Sequence, residues 1–303
     1  LAEASQALPL AGNAAAETYL NQPALLAALK ASGADAIHPG YGFLAENADF
    51  AEAVVAAGAI YIGPNPHWLR ALGDKVAARG LAAAHDFPVF PGSDLVESVE
   101  AALQAAQAVG YPLMLKPAAG GGGIGMRVVT DADALEKVFN QSSEQARRSF
   151  GDGAIYLERW LKDPRHIEFQ LLGDQDGTVH HLYERDCSLQ RRHQEIVEET
   201  PAPNVAAESL LELAERAATW AQEIGYDNVG TLETLRTQDN QFGFLEMNTR
   251  IQVEHGVTEL VTGVDLVAKQ IELATGAKIG EMPPRDGFAI EVRVYAEHSI
   301  TQL

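Results

Sequence analysis

The stretch Phe244-Leu-Glu-Met-Asn-Thr-Arg-Ile-Gln-Val-Glu-His255 decides how the rest of the chain is interpreted. Successive side chains of a β-strand point to opposite faces of a sheet, and the stretch has the alternation of a strand. One face then carries only polar and charged side chains, namely Glu246, Asn248, Arg250, Gln252 and Glu254. The other face is apolar apart from one threonine, and consists of Leu245, Met247, Thr249, Ile251 and Val253.

Two interpretations of the polar face are open. An antiparallel strand with one solvated face gives the same alternation. A solvated face, however, usually carries Lys, Thr and Ser, whereas this one carries carboxylates and amides at the spacing of metal ligands. Hard divalent cations take carboxylate and amide oxygens. Glu246 and Asn248 are therefore candidates to share a magnesium ion, with Arg250 placed for an anion beside it.

Length and composition set broad bounds. The 303 residues are enough for two domains, or for one domain with a smaller inserted one. Hydrophobic residues at 47% and charged residues at 21% match an ordinary globular protein. The net charge of −20 argues against binding to nucleic acid or to an anionic membrane, because both require a basic surface. No apolar run approaches the ~20 residues that span a bilayer.

The cysteine count and the chain ends give further expectations. Cys187 is the only cysteine, so an intrachain disulfide is impossible and we expect a reducing compartment, the cytoplasm. No His/Asn relay accompanies Cys187, which favours a structural thiol over a nucleophile. The chain opens at Leu1 without Met or a signal-like segment and ends at Leu303 just after a strand-like run. We expect an internal piece of a longer polypeptide.

Predicted elements divide the chain into four regions. Residues 1–65 alternate helices (15–33 and 47–57) with short strands (34–37 and 59–62), which is typical of a parallel α/β layer. Residues 66–87 are predicted to be a helical linker, and residues 88–160 a small α+β module with a strand at 155–160. In residues 161–303 strands dominate, at 166–172, 180–186, 229–236, 242–254 and 288–295, with helices at 206–224 and 264–275.

A glycine loop lies within the small module. The strand 111–116 leads into four glycines at 120–123 and then into the strand 126–130, so a hairpin is predicted between helices 97–109 and 131–148. A P-loop or a Rossmann turn would enter a helix, and neither fits. A mobile hairpin tip remains open as an alternative. Lys116 at the base of the loop favours a lid over nucleotide phosphates, which free backbone N–H groups can bind.

Motifs spread along the whole chain, in order, resemble those of biotin carboxylases, members of the ATP-grasp superfamily. They are His38-Pro-Gly-Tyr-Gly-Phe-Leu-Ala-Glu-Asn47, Gly73-Asp-Lys75, Lys116 with its glycine loop, Glu184-Arg-Asp-Cys-Ser-Leu-Gln-Arg-Arg-His193 and Glu246-Met-Asn-Thr-Arg-Ile-Gln-Val-Glu-His255. The resemblance implies an ATP-grasp fold with a partial N-terminal Rossmann-like layer, an inserted lid and a strand-rich C-terminal subdomain. The family's opening strand and the end of its C-terminal subdomain have no counterpart here.

The resemblance also implies site residues. Lys75 and Lys116 would hold the phosphates of ATP, with Met126 against the adenine and Glu158 at the hinge that reads it. Other implied ATP-binding residues are Gly121, Gly122, Gly123, His166, Gln190 and His193. Magnesium or manganese would be held by Glu233, Glu246 and Asn248. Bicarbonate would be bound by Arg250, Gln252, Val253 and Glu254, with Glu254 as the general base. Arg293 resembles the arginine that stabilises the biotin enolate.

The implied activity is the ATP- and bicarbonate-dependent carboxylation of biotin by way of carboxyphosphate. The chemistry agrees, because bicarbonate is a poor electrophile whose activation needs a carboxylate base, a guanidinium for the anion, and metal ions. The implied partners are a biotin carboxyl carrier domain, a carboxyltransferase subunit or domain, and a second copy of the chain. Two alternatives stay open, namely another ATP-grasp carboxylate–amine ligase, and a noncatalytic assembly or regulatory domain that retains the fold.

Three positions depart from the family pattern. Glu195 stands where Lys is usual, and an anion there predicts weaker binding of bicarbonate or ATP. Gly256 stands where Pro is usual. Ile124 replaces a frequent Lys or Arg of the phosphate lid. Ile124 and the segment Glu198-Glu-Thr-Pro-Ala-Pro203 favour a urea-type carboxylase slightly over an acyl-CoA carboxylase.

Overall fold

The computed structural model describes residues 3–118, 124–192 and 194–296. After a 3-10 turn at Ala15–Glu17, its helices are Gln22–Ser32 (α1), Ala48–Ala56 (α2), Pro66–Gly73 (α3), Lys75–Ala84 (α4), Val99–Val109 (α5), Ala132–Phe150 (α6), Ala207–Ile224 (α7), His255–Thr262 (α8) and Leu266–Ala274 (α9). Its strands are Ala36–Ile37 (β1), Ile60–Tyr61 (β2), Leu113–Pro117 (β3), Arg127–Val129 (β4), Ile155–Arg159 (β5), Arg165–Gly173 (β6), Val179–Arg191 (β7), Gln194–Thr200 (β8), Asn228–Arg236 (β9), Phe242–Asn248 (β10) and Ala289–Val292 (β11).

The N-terminal region has the predicted parallel α/β character. Strands β1 and β2 pair in parallel, with Ala36 opposite Ile60. Phe50 and Val54 on one face of α2 are buried against Tyr61 and Leu69. The long helix predicted at 15–33 is shorter, because Asn21 caps a helix that starts at Gln22, where Pro23 fits the first turn.

The predicted hairpin supplies two strands of a three-stranded antiparallel sheet of order β4-β3-β5. Leu113 of β3 pairs with Val129 of β4 on one side and with Arg159 of β5 on the other. Alternate residues of β3 are fully buried against α5 and α6, which leaves Lys116 on the opposite face. The glycines at 121–123 lie outside the described residues.

A six-stranded antiparallel sheet of order β10-β9-β6-β7-β8-β11 forms the largest layer. Helix α7 packs one face of this sheet through Trp220, which is buried with Phe87 and Phe244. The fold is therefore a mixed α/β and α+β structure, as predicted. The boundaries of the four regions, at residues 65, 87 and 160, stay a prediction.

The strand predicted at 242–254 is wrong beyond Asn248. Strand β10 ends there, residues 249–254 form a loop, and α8 follows directly. Within β10 a bulge lies between Phe244 and Glu246, so the alternation slips by one residue. As a result Leu245 faces the same cavity as Glu246, whereas Phe244 and Met247 are buried in the core.

Two elements have no counterpart among the predicted ones. Helix α8 is rich in β-branched residues, which have a low helix propensity, and β8 carries several glutamates, which have a low strand propensity. Local propensity therefore did not indicate either element. Across the described part of the chain, no helix has both the length and the apolarity needed to cross a membrane.

Candidate active site

A cavity of about 760 Å³ lies between the three-stranded sheet, the six-stranded sheet and the loop 249–254. Most of the residues predicted for the site line it, namely Lys75, Lys116, Met126, His166, Gln190, Glu233, Glu246, Asn248, Arg250, Gln252, Val253, Glu254 and Arg293. Glu158 lines a smaller cavity of about 90 Å³ that shares Lys116 with the larger one. Gly121, Gly122, Gly123 and His193 lie outside the described residues.

Two acidic side chains of the cavity stand on neighbouring strands. Glu233 of β9 is paired in register with Glu246 of β10, so both carboxylates reach the same wall. Each faces a cation of the protein, with His166 Nε2 at 2.9 Å from Glu233 and Lys75 Nζ at 2.8 Å from Glu246. Asn248 and Gln252 also donate hydrogen bonds to Glu233.

Burial and charge act against each other in this pair of acids. Burial raises the pKa of Glu233, and the His166 imidazolium opposes that rise. Burial alone would lower the pKa of His166, but the charge of Glu233 and its hydrogen bond outweigh it, and the pKa of His166 is raised. Burial also works on Glu246, yet Lys75 holds the pKa of that carboxyl below its usual value. His166 and Lys75 are therefore the cations that these two carboxylates face.

Lys75 and Lys116 reach the cavity from two different elements. Asp74 caps α4 by accepting hydrogen bonds from Val76 N and Ala77 N, each at 3.0 Å, and this places Lys75 at the first residue of the helix. Lys116 leaves β3 on the cavity side and forms an ion pair with Glu158 of β5. Both ammonium groups are therefore paired with carboxylates of the protein.

The loop 249–254 carries the predicted anion-binding residues. Arg250 Nη2 donates to Asn248 Oδ1 at 2.9 Å, and Arg250 Nε lies 2.9 Å from Glu46 Oε2. Gln252 is held from behind by Arg185, whose Nη2 donates to Gln252 Oε1 at 2.7 Å. The loop is thus fixed by contacts with distant parts of the chain.

Arg185 is a residue of the site that the sequence pattern did not single out. It is fully buried and donates to acceptors on five residues, namely Glu168, Gln170, Thr231, Gln252 and Thr258. These acceptors come from β6, β9, the loop and α8. One guanidinium therefore ties the loop to the sheet beneath it. Its place within the motif Glu184–His193 is the one feature of the sequence that could have indicated a role in the site.

Glu254 and Arg293 meet at one end of the loop. Glu254 Oε2 lies 2.7 Å from Arg293 Nη2. Burial and the neighbouring Glu168 raise the pKa of Glu254 to about 8, although Arg185 and Arg293 oppose the rise. A carboxylate with a pKa this close to neutrality can accept a proton and later release it.

Glu195 also faces the cavity. Its Oε1 accepts from Gln190 Nε2 at 3.2 Å, and its Oε2 lies 3.8 Å from Arg293 Nη2. Arg293 Nε in addition lies 2.7 Å from Glu198. Glu195 is therefore one of three carboxylates around Arg293.

Cys187 is completely buried, and burial raises the pKa of its thiol well above the usual value, which supports its interpretation as a structural residue.

Comparison with known proteins settles the family. Residues 74–282 match the model of the carbamoyl-phosphate synthase L chain ATP-binding domain, and residues 1–69 match that of the biotin carboxylase N-terminal domain. The chain belongs to the biotin carboxylase family. It is 48% identical to the biotin carboxylase of Allochromatium vinosum over 293 residues, which are 95% of this chain. The chain spans 65% of the length of that relative.

Solved structures of the family share the fold. A biotin carboxylase–β,γ-ATP complex from Campylobacter jejuni superposes with a TM-score of 0.90 at 44% identity, covering 95% of this chain and 65% of that one. The biotin carboxylase domain dimer of Hydrogenobacter thermophilus 2-oxoglutarate carboxylase, in complex with MgADP, ADP and bicarbonate, has a TM-score of 0.90 at 41% identity. The match covers 94% of this chain and 64% of the Hydrogenobacter thermophilus chain.

Proposed function

We propose that the protein carboxylates biotin in a reaction that consumes ATP and bicarbonate, as part of an acyl-CoA carboxylase or a urea-type carboxylase. The observation that carries the proposal is the juxtaposition of Glu254 and Arg293, 2.7 Å apart, in the same cavity as Arg250 and the acids Glu233 and Glu246. This set combines a base, two guanidinium groups for anions, and a pair of carboxylates for metal ions.

The bicarbonate end is assigned to the loop 249–254. Arg250, Gln252 and Val253 bind the anion, and Glu254 removes its proton so that the resulting oxyanion attacks the γ-phosphoryl group of ATP. The raised pKa of Glu254, about 8, suits a base that must take a proton near neutral pH. The attack displaces ADP and gives carboxyphosphate, which breaks down to inorganic phosphate and carbon dioxide beside biotin.

The nucleotide end is assigned to Lys75 and Lys116 for the phosphates and to Met126 and Glu158 for the adenine. The remaining assignments to this end are Gly121, Gly122, Gly123, His166, Gln190 and His193. Lys116 is paired with Glu158 in the structure, so we expect nucleotide binding to draw the ammonium group away from that carboxylate. Lys75 is expected to exchange Glu246 for phosphate oxygens in the same way.

The metal ions are assigned to Glu233, Glu246 and Asn248. Their side chains fit magnesium or manganese, because they offer hard oxygen atoms on one wall of the cavity, and both carboxylates now face cations of the protein. Magnesium or manganese held there would supply positive charge to neutralise the transferring phosphoryl group. The protein's own part is to hold these oxygens in place and to hold Gln252 against Glu233 at 3.0 Å.

Biotin is assigned to the surroundings of Arg293, whose guanidinium lowers the cost of the negative charge on the biotin ureido group.

The proposed partners are a biotin carboxyl carrier domain, a carboxyltransferase subunit or domain, and a second copy of the chain in a homodimer or a larger complex. A cytoplasmic location remains a prediction. The relative from Hydrogenobacter thermophilus, a biotin carboxylase domain dimer, supports the dimer.

The test measures ATP hydrolysis by the complete polypeptide with and without bicarbonate and free biotin. The proposal requires hydrolysis that depends on bicarbonate and that free biotin stimulates. Hydrolysis that needs an amine and ignores biotin would indicate a carboxylate–amine ligase. Nucleotide binding without hydrolysis under any of these conditions would indicate a noncatalytic domain.

A further inference from the structure

The motif His38–Asn47 reaches the cavity through Tyr41 and Gly42, and none of the assigned site residues lies in the motif. Its first residue is tied to α9, since His38 Nε2 lies 3.0 Å from Gln270 Oε1. Its last residue, Asn47, caps α2 by accepting a hydrogen bond from Phe50 N at 2.8 Å. Tyr41 lines the cavity between these two anchors. The motif is thus a strap held at both ends.

Glu46, next to the end of this strap, contacts the loop 249–254 with both of its carboxylate oxygens. Its Oε2 lies 2.9 Å from Arg250 Nε, and its Oε1 accepts a hydrogen bond from Thr249 N at 3.1 Å. The two partners are adjacent in the chain, and they lie more than 200 residues from Glu46. One carboxylate therefore fixes the backbone and the side chain of the same segment.

The contact bears on the orientation of the Arg250 guanidinium. Arg250 Nη2 donates to Asn248 Oδ1 at 2.9 Å, and Nη1 lies 3.3 Å from Ile251 O. With Nε held by Glu46, the planar group has acceptors along three of its edges. A guanidinium recognises a carboxylate-like anion through a fixed fork of N–H groups, so the plane in which it is held matters.

The same contact contributes little to stability. The Arg250 side chain is 22% exposed and that of Glu46 is 39% exposed, and ion pairs at such sites add little to folding free energy. Variants of Glu46 are therefore expected to fold. An effect on the reaction would then report on the geometry of Arg250.

We propose that Glu46 is a positioning residue for Arg250, which it holds in the orientation that binds bicarbonate. The inference rests on the proposed function for its substrate, whereas the positioning itself rests on the two contacts of Glu46. It gives the strap a role in the reaction: the N-terminal layer orients the anion-binding side chain of the C-terminal sheet.

The kinetic test compares Glu46→Gln with Glu52→Gln in the complete polypeptide. Gln keeps an oxygen for Thr249 N, but it loses the negative charge that faces Arg250. Glu52 is a matched control, because it is ion-paired with Arg70 at 2.8 Å on the surface of α2. In Glu46→Gln we expect the apparent KM for bicarbonate to rise about tenfold, while the KM for ATP and the Tm stay within error of the native protein.

If Glu46 had a purely structural role, Glu46→Gln would lower the Tm and affect the KM for bicarbonate and the KM for ATP equally. This result would overturn the proposal, and so would an unchanged KM for bicarbonate. The second measurement does not depend on activity. Amide hydrogen exchange of residues 249–254 should be faster in Glu46→Ala than in Glu52→Ala. Equal exchange would overturn the positioning role. Absence of bicarbonate-dependent hydrolysis in the native protein would overturn the proposed function, and the exchange result would still decide whether Glu46 holds the loop.

Discussion

Replacing Glu254 by Gln should remove bicarbonate-dependent ATP cleavage and leave nucleotide binding intact. The substitution keeps the size of the side chain but abolishes its capacity to accept a proton. Removing a positioned general base lowers turnover by about 10²–10⁴-fold. We expect the larger value, because Glu254 lies in the loop 249–254 with its Oε2 2.7 Å from Arg293 and has no assigned metal ion to take over its proposed role.

The structure indicates that this variant folds. Arg293 keeps Glu198 at 2.7 Å and Glu195 at 3.8 Å, so its guanidinium is not left unpaired. The Glu254 side chain makes no capping hydrogen bond to α8, so the start of that helix is unaffected. Burial already disfavours the charged form of Glu254, so an uncharged amide should not lower the Tm.

The assay follows ADP release with and without bicarbonate, beside a direct titration of ATP binding. Glu272→Gln is the matched control, because Glu272 is an exposed partner of Lys269 at 2.6 Å in α9. The control should behave as the native protein does. Turnover of Glu254→Gln within about threefold of the native value would remove Glu254 from the proton transfer, since a general base contributes far more than that.

Three further predictions concern neighbouring groups. Since the base must be deprotonated and the pKa of Glu254 is raised to about 8, kcat/KM should rise with pH up to that value and level off above it, and a flat profile from pH 6 to 9 would contradict this. Glu195→Lys should lower the apparent KM for bicarbonate or ATP, whereas an unchanged value would mean that Arg293, at 3.8 Å, already neutralises Glu195. Asp74→Ala removes the cap of α4 and should cost about 1 kcal/mol in unfolding free energy, with a higher KM for ATP through the displaced Lys75, and unfolding curves that match those of the native protein would contradict it.

The sequence predicted those parts of the fold that local pattern determines. The hairpin of β3 and β4 follows from two short strands around a glycine loop, and α7 follows from its apolar periodicity. The five residues of the predicted polar face do line one cavity, but they do not all lie on one strand as predicted. Alternation along a strand explains only why Asn248 lies on the same face as Glu246. The bulge before Glu246 and the end of β10 after Asn248 break the period on either side.

Contacts between distant segments were beyond sequence reasoning for a physical reason. The pairing of Glu46 with Arg250 and the five hydrogen bonds of Arg185 depend on where the sheets and the N-terminal layer meet. Local propensity and periodicity carry no information about such tertiary contacts. The types of these residues signal that they need partners when buried, but the identity of the partners depends on the tertiary structure.

Four acids in and beside the cavity are paired with cations of the protein. Glu246 faces Lys75, Glu233 faces His166, Glu158 faces Lys116, and Glu254 faces Arg293. These four acids are thus paired within the protein, so they repel a nucleotide less strongly than the net charge of −20 suggests. Binding of a nucleotide with its metal ions would exchange these partners, with the ions taking the carboxylates and the phosphates taking the lysines. In that exchange Glu233 and Glu246 would gain metal ions and the two lysines would gain phosphate oxygens, so the affinity for ATP should depend on the metal ion more steeply than on ionic strength.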